Sequence, residues 1–232
     1  MNTSMDVYGK ALLDYAHEKE EGVLMLNTSY GEPEEMPLWY FFREYEDMPD
    51  LEKMALSICE GKVLDVGAGT GSHALCLQQM GLTVTAIDTS KTAVDVMKES
   101  GVKDARQVDY FKLEGEKFDT ILGLMNGIGF VGKKDRFADF LKKADELLAS
   151  NGQIFIDSSD IDYLYEDEAL PKDHYYGEVS FQYEYKGEKG EWFDWVYFDK
   201  DTMAQMADDL GWYCYFLETD EHGQYLARLV RK

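Results

Sequence analysis

The chain is poor in cysteine, proline and histidine. Its 232 residues include 3 cysteines, 4 prolines and 4 histidines. Cys59, Cys76 and Cys214 lie far apart, without a CxxC pair or a cluster of histidines beside them. This pattern supports neither a disulfide framework nor a structural zinc site. We therefore predict a protein without a metal.

Long apolar runs and excess positive charge are absent too. No run approaches the roughly 20 apolar residues that span a bilayer, and residues 1–21 lack the basic segment and apolar core of a secretory signal. The 46 acidic residues outnumber the 23 basic ones, for a net charge of -23, which repels a nucleic-acid backbone. We expect a cytoplasmic protein that binds neither membranes nor nucleic acid.

What the chain does contain is a repeating strand and helix pattern. Between residues 61 and 152, short apolar runs alternate with helical periodicities, which is typical of a parallel α/β sheet. The pattern predicts strands at residues 63–66, 82–88, 105–108 and 118–125. A helix over residues 137–148 follows, and Asn151 and Gly152 are expected to close it before a strand at 153–157.

The two ends of the chain differ from this pattern. Residues 6–17 predict an amphipathic helix, and residues 31–49 are expected to be irregular and to lie over a cleft. Residues 158–199 are aromatic and acidic, with a β-hairpin that turns around residues 186–190. The last two apolar runs, "WYCYFLETD" and "QYLARLVR", are separated by only "EHG", so these strands must be antiparallel.

The stretch "VLDVGAGTGSHAL", residues 63–75, predicts a ligand site. Gly67 and Gly69 remove the Cβ atoms that would keep a ligand from the backbone, and Gly71 lets the following helix pack close to its strand. Asp88 ends the next strand, where it can accept hydrogen bonds from both hydroxyls of a ribose or cap a helix. Asp65 adds a negative charge that suits a ligand with an ammonium group better than a pyrophosphate.

These motifs resemble those of the class I S-adenosylmethionine-dependent methyltransferases. "VLDVGAGTGSHAL" is similar to the first motif of that family and "VTAIDTS" to the second, and "RQVDYF", "FDTILGLMNGIGF" and "ELLASNGQIFID" continue the likeness. The resemblance covers residues 61–232 apart from 158–199. It implies S-adenosyl-L-methionine as cofactor and S-adenosyl-L-homocysteine as product. The matching cofactor positions are Asp65, Gly67, Ala68, Gly69, Gly71, Asp88, Thr89, Asp109, Tyr110 and Asn126.

Pattern and resemblance together predict an α/β, Rossmann-like fold. We expect a doubly wound mixed sheet of about seven strands whose last strand is antiparallel. Residues 1–60 should form an N-terminal cap segment and residues 61–232 the methyltransferase domain. The β-hairpin insertion, residues 158–199, should form part of the substrate site.

The resemblance implies transfer of a methyl group to a small-molecule acceptor. Such a transfer depends mainly on positioning, so no catalytic base is assigned. Three alternatives stay open: a protein side-chain methyltransferase, a non-catalytic cofactor-binding protein, and a nicotinamide-dependent oxidoreductase. The last rests on a weak dinucleotide fingerprint that begins at Gly69.

Several residues also have purely structural interpretations. Asp109 could form an Asx turn, Asn126 could shape a loop, and His73 could pack inside a helix turn. Arg43 could meet a carboxylate of the cofactor. The aromatic residues of the insertion could wall a pocket or form a homodimer interface; they are Tyr175, Tyr176, Phe181, Tyr183, Trp192 and Trp195.

Overall fold

The computed structural model describes residues 6–18, 22–165 and 169–232. Residues 1–5 and 19–21 of the predicted cap, which are also the two ends of the segment compared with a secretory signal, and residues 166–168 of the predicted insertion lie outside the described residues. The α-helices are α1 (Val7–Glu18), α2 (Asp50–Ser57), α3 (Ser72–Gln79), α4 (Lys91–Glu99), α5 (Phe137–Leu147) and α6 (Lys200–Asp209). The strands are β1 (Val23–Thr28), β2 (Glu34–Pro37), β3 (Lys62–Val66), β4 (Thr83–Asp88), β5 (Ala105–Gln107), β6 (Phe118–Gly123), β7 (Leu148–Ser159), β8 (Glu178–Tyr185), β9 (Glu188–Lys189), β10 (Phe193–Val196), β11 (Trp212–Thr219) and β12 (Gln224–Arg231). No helix of this described part is long and apolar enough to cross a membrane.

Seven strands form the main sheet, in the order β11-β12-β7-β6-β3-β4-β5. The pairs from β7 to β5 are parallel, and β12 runs antiparallel to both of its neighbours. The strand order reverses direction between β3 and β6, which is where ligands bind in open α/β sheets. The predicted Rossmann-like mixed sheet with a reversed last strand is confirmed.

Helices cover both faces of the main sheet and explain its burial. One core cluster joins the sheet to α5 and α6 through residues such as Phe140 and Met203. A second cluster joins the opposite face to α2, α3 and α4 through Leu51, Leu77 and Val94. Because both faces are covered, β3 and β6 are buried along nearly their whole length.

Two predicted boundaries in this sheet are wrong. The strand expected at residues 118–125 ends at Gly123, because Met125 and Asn126 have left-handed backbone angles, with φ of 63° and 53°. The helix before β7 ends at Leu147, and β7 includes Asn151 and Gly152 rather than following them. Leu148 already pairs with Phe118, which starts the strand early.

A second, smaller sheet joins the N-terminal segment to the insertion. Its antiparallel order is β10-β8-β1-β2, and β9 pairs with β8. The expectation of irregular structure over residues 31–49 is therefore wrong for β2, and β1 was not predicted at all. Both strands are short, and β1 pairs with β8 from far along the chain while β2 pairs with β1, so local periodicity indicates neither.

Residue alternation gives this second sheet one apolar face. Leu26 lies opposite Tyr183, and Phe193 lies opposite Phe181. Residues directly opposite each other, or two apart along a strand, share a face. Leu26, Phe181, Tyr183, Phe193 and Trp195 therefore lie on one side of the sheet.

The N-terminal helix holds the second sheet against the main domain. A buried cluster combines Val7 and Leu12 of α1, Leu24 of β1 and Ala93 of α4. Ser90 is the N-cap residue of α4, and its hydroxyl donates a hydrogen bond to an Asp6 carboxylate oxygen at 2.6 Å. The segment before residue 61 is thus packed into the fold.

We expect Leu24→Ala to lower the free energy of unfolding by about 2–5 kcal/mol, because Leu24 is fully buried in that cluster. Val23→Ala is the matched control: Val23 precedes it in the same strand and is 40% exposed, so its cost should stay below about 1 kcal/mol. Chemical denaturation measures both. Equal costs for the two variants would contradict a packed second sheet.

Candidate functional site

A cavity lies at the carboxyl ends of β3 and β6, where the strand order of the main sheet reverses. About 970 Å³ of space lies between its walls, open solvent at the mouth included. Its floor is the glycine turn after β3 and the turn after β6, and its roof is the apolar face of the second sheet. The lining residues are Tyr8, Leu26, Met36, Phe41, Asp65, Val66, Gly67, Ala68, Gly69, Thr70, Ser72, His73, Leu124, Met125, Asn126, Gly127, Phe130, Phe181, Tyr183, Phe193, Trp195 and Tyr197.

The three glycines of the turn play different parts. All three have positive φ, at 68°, 57° and 84° for Gly67, Gly69 and Gly71. A Cβ atom on Gly67 would meet nothing within 4 Å, whereas one on Gly69 would lie 2.8 Å from the Tyr8 hydroxyl. On Gly71 it would lie 2.6 Å from a methyl group of Val102. Gly67 and Gly69 thus border the cavity, and Gly71 permits close packing.

Two carboxylates flank the glycine turn, Asp65 buried and Asp88 half-buried. Asp65 is 1% exposed, and within the described part of the chain its Oδ2 has no hydrogen-bond partner. The Asp88 carboxylate accepts hydrogen bonds from the backbone N–H groups of Gly69, at 3.0 Å, and Ser90, at 2.8 Å. Burial raises the pKa of each carboxyl to about 6. The orphaned oxygen of Asp65 fits a cationic ligand group in the cavity.

Beside Asp65 lies a buried ion network that local sequence patterns did not predict. Glu52 accepts hydrogen bonds from Arg43, at 2.8 and 3.0 Å, and lies 2.8 Å from Nε2 of His73. Burial alone would lower the pKa of His73, but the hydrogen bond to Glu52 and the charge of Asp65 raise it. The pKa of Glu52 is lowered, because His73 and Arg43 outweigh the effect of burial.

The network corrects one interpretation. Arg43 binds the carboxylate of Glu52, and its guanidinium stacks 3.7 Å from the ring centre of Tyr40, so it is not a free partner for a cofactor carboxylate. Glu52 comes from α2, which was not predicted. Pro49 followed by the acidic Asp50 and Glu52 was the available signal for that helix.

The turn after β6 forms the other part of the floor. Met125 and Asn126 both have positive φ, which costs on the order of 1 kcal/mol or more for each residue. The Asn126 side chain accepts a hydrogen bond from the Ser158 hydroxyl at 3.0 Å. The buried Asp157 accepts from Gly127 N–H, at 3.3 Å, and from Gln224, at 2.7 Å. Burial raises the pKa of Asp157 to about 6.

The predicted site residues fall into two groups. Asp65, Gly67, Ala68, Gly69 and Asn126 line the cavity, and Asp88 binds the backbone of the turn. The remaining predicted positions, apart from Gly71, follow β4 and β5 outside the cavity lining.

These remaining positions have local partners of their own. Thr89 is exposed. Asp109 accepts a hydrogen bond from Phe111 N–H at 2.9 Å, as in an Asx turn. Tyr110 is buried, and its hydroxyl donates to the Phe140 carbonyl at 3.2 Å. Their assignment to the cofactor stays a prediction.

The aromatic residues of the insertion also divide. Phe181, Tyr183 and Trp195 line the cavity, whereas Trp192 is 52% exposed. The hydroxyls of Tyr175 and Tyr176 donate to Asp199 and Asp160, away from the lining. Sequence patterns missed the lining residues Tyr8, Leu26 and Met36, because nothing local indicates which segment covers the glycine turn. In the described part of the chain, no three His, Cys, Asp or Glu side chains group as a metal site would require.

The chain is similar to several methyltransferases. A family model described as "Methyltransferase domain" matches residues 64–156. A solved structure, the SAM-dependent methyltransferase from Bacteroides fragilis in complex with S-adenosyl-L-homocysteine, is 44% identical, with a TM-score of 0.92 over 97% of this chain and 94% of that chain.

Two curated relatives are more distant. An uncharacterized methyltransferase of Staphylococcus carnosus (strain TM300) is 27% identical over 174 residues, which is 73% of this chain and 77% of the relative. A ubiquinone biosynthesis O-methyltransferase of Pelagibacter ubique (strain HTCC1062) is 32% identical over 106 residues, 41% of this chain and 40% of that relative.

The two carboxylates beside the glycine turn lead to a pH prediction. An ionised Asp65 can pair with the ammonium group of S-adenosyl-L-homocysteine, and protonation of a carboxyl with a pKa of about 6 removes that partner. The affinity should therefore fall about tenfold or more between pH 7 and pH 5, with Asp88 contributing to the slope. Isothermal calorimetry across this range measures it.

Asp65→Asn should weaken binding about tenfold at neutral pH and flatten this slope, because a charge-assisted hydrogen bond is lost. Asp119→Asn serves as control, since its carboxylate binds Lys62 N–H at the opposite end of β3, at 2.7 Å. A slope unchanged by Asp65→Asn would contradict the role of Asp65.

Proposed function

This chain belongs to the S-adenosylmethionine-dependent methyltransferases, and we propose that it methylates a small molecule held in the cavity. It uses S-adenosyl-L-methionine, as the family does. The acceptor and the residues that hold the cofactor are proposals, argued below from the cavity.

We assign the amino-acid end of the cofactor to Asp65 and the glycine turn. Two observations support this fit: the buried Oδ2 of Asp65 lacks a partner within the described residues, and the backbone at Gly67 and Gly69 is open to a ligand. Asp88 would bind the ribose hydroxyls. Its carboxylate accepts a hydrogen bond from Gly69 N–H and is thereby held beside the glycine turn. Thr89, Asp109 and Tyr110 would contact the nucleoside beyond the cavity.

The cofactor supplies an electrophilic methyl group on a positively charged sulfur. The residues of this chain then have two tasks, which are to orient the acceptor and to exclude water. The Nε2 atom of His73 lies 2.8 Å from a Glu52 carboxylate oxygen, so this ring nitrogen is already engaged within the protein. We assign no catalytic base.

The proposal that the acceptor is a small molecule rests on the roof that the second sheet and α1 form over the cavity. Rings of the second sheet and α1 lie over both turns of the floor, so an acceptor must enter a walled cavity rather than dock on an open face. A protein side chain would need an exposed groove around that entrance. We propose that residues 1–60 and the insertion at 158–199 act as one cap that forms the acceptor site.

Transfer of a labelled methyl group tests this function. The purified protein is incubated with methyl-labelled cofactor and with either the small-molecule filtrate or the protein retentate of a cell lysate. We expect label in the small-molecule fraction. Label in the retentate alone would show protein methylation, and cofactor binding without any transfer would show a non-catalytic binder.

Gly69→Ala is the loss-of-function variant for this assay, because its Cβ would enter the cavity next to Tyr8. We expect transfer to fall at least tenfold, from the loss of backbone approach. Gly81→Ala is the matched control, with a positive φ of 90° and nothing within 4 Å of the added Cβ. If Gly81→Ala loses as much activity, backbone strain rather than ligand contact explains the effect.

A further inference from the structure

A continuous row of aromatic rings runs along the roof of the cavity. Tyr8, beside Gly69, stacks on Tyr183 at 5.1 Å, Tyr183 contacts Phe193 at 5.0 Å, and Phe193 contacts Trp195 at 6.1 Å. A Cβ on Gly129 would lie 2.0 Å from the indole nitrogen of Trp195. The row therefore extends from the glycine turn to the helical turn that follows Asn126.

The end of the cavity away from the glycine turn is uncharged. We call it the acceptor half, and it is lined by Leu26, Met36, Phe181, Phe193, Trp195 and Tyr197. Among the described lining residues, the ionisable acids and bases other than tyrosine are Asp65 and His73, and both belong to the glycine-turn end.

The nearest buried cation pairs elsewhere. Arg43 is 5% exposed, does not line the cavity, and is bound with His73 to Glu52. An acceptor in the acceptor half would thus find aromatic faces and few polar groups. The polar atoms that remain there include the Tyr197 hydroxyl and the Trp195 indole N–H.

This distribution of charge disfavours both kinds of ionic acceptor. A carboxylate or phosphate would be desolvated in the acceptor half without a cationic side chain to pair with it. A protonated amine could contact the rings, but it would lie next to the positive sulfur of the cofactor and would lack a lone pair to attack with. A neutral, apolar ring suffers neither penalty and gains ring contacts.

We propose that the methyl acceptor is a neutral, ring-containing molecule with an uncharged nucleophilic group, which packs its ring against the acceptor half. This inference rests on the proposed function, but it concerns binding and is tested without turnover. The acceptor half would favour such a neutral molecule because its described lining offers no charged side chain to pair with an ionic one.

The test uses the protein saturated with S-adenosyl-L-homocysteine and three matched probes: naphthol, hydroxynaphthoate and naphthylmethylammonium. Calorimetry first establishes that the cofactor product binds; if it does not, the proposed function fails before this inference is reached. We then expect naphthol to bind at least about tenfold more tightly than hydroxynaphthoate, which loses hydration without gaining a cationic partner. Naphthol should also bind more tightly than naphthylmethylammonium, whose contact with the rings recovers only part of the lost hydration. Equal or tighter binding of a charged probe would overturn the proposal.

Two tryptophan variants locate the binding site. Trp195→Leu should weaken naphthol binding about fivefold, through loss of a ring contact, and leave the affinity for S-adenosyl-L-homocysteine unchanged. Trp192→Leu is the matched control, since Trp192 lies three residues away and is half-exposed outside the lining. If both variants bind naphthol as the wild type does, the ring binds elsewhere and the proposal is wrong.

A charge introduced into the acceptor half should reverse the preference. Met36→Lys places a cation on β2, at a half-buried position that lines the acceptor half. Hydroxynaphthoate should then bind more tightly than naphthol, with the unfolding midpoint measured alongside to show that the variant is folded. A folded Met36→Lys protein that still prefers naphthol would overturn the argument from missing charge.

Discussion

Burial of one face of the second sheet is the constraint on which the site depends. Strand alternation places Leu26, Phe181, Tyr183 and Phe193 on the same side of that sheet, where exposure to water would be unfavourable. The carboxyl edge of the main sheet offers the facing surface, and α1 completes the contact by packing Val7 and Leu12 against Leu24 of β1. Burial of this face thus stabilises the N-terminal segment and also covers the glycine turn.

The same burial makes the charges of the site strongly interdependent. Arg43, Glu52 and His73 are nearly inaccessible and bind one another, although the Nε atom of Arg43 has no partner among the described residues. Removal of one would leave the others buried with an unmatched charge. Asp65 differs from Arg43 and Glu52 because it lines the cavity, and one of its carboxylate oxygens has no protein partner among the described residues. Because Glu52 is paired with Arg43 and His73, Asp65 is the carboxylate of the cavity lining that is available to a cationic group of a ligand, at the glycine turn.

Periodicity and motif predicted most of the main domain and little of the cap. The strands β3, β4 and β6 were predicted from their buried-strand patterns. The glycine turn between β3 and α3 was predicted from the identity and spacing of its residues. The cap was harder to predict, because β1 and β2 are short and β1, which joins β2 to the sheet, pairs with a strand from far along the chain. The helix α2 was missed although its acidic first turn indicated it.

Local chemistry is what the amino-acid order could settle. Positive φ at Gly67, Gly69 and Gly71 and alternation along a strand depend on a residue and its immediate neighbours, so both can be recognised before folding. The partner of Arg43, the orphaned oxygen of Asp65 and the position of Tyr8 over Gly69 were decided only by the packed chain. Each of these depends on which distant segments exclude water together, and no local preference contains that information.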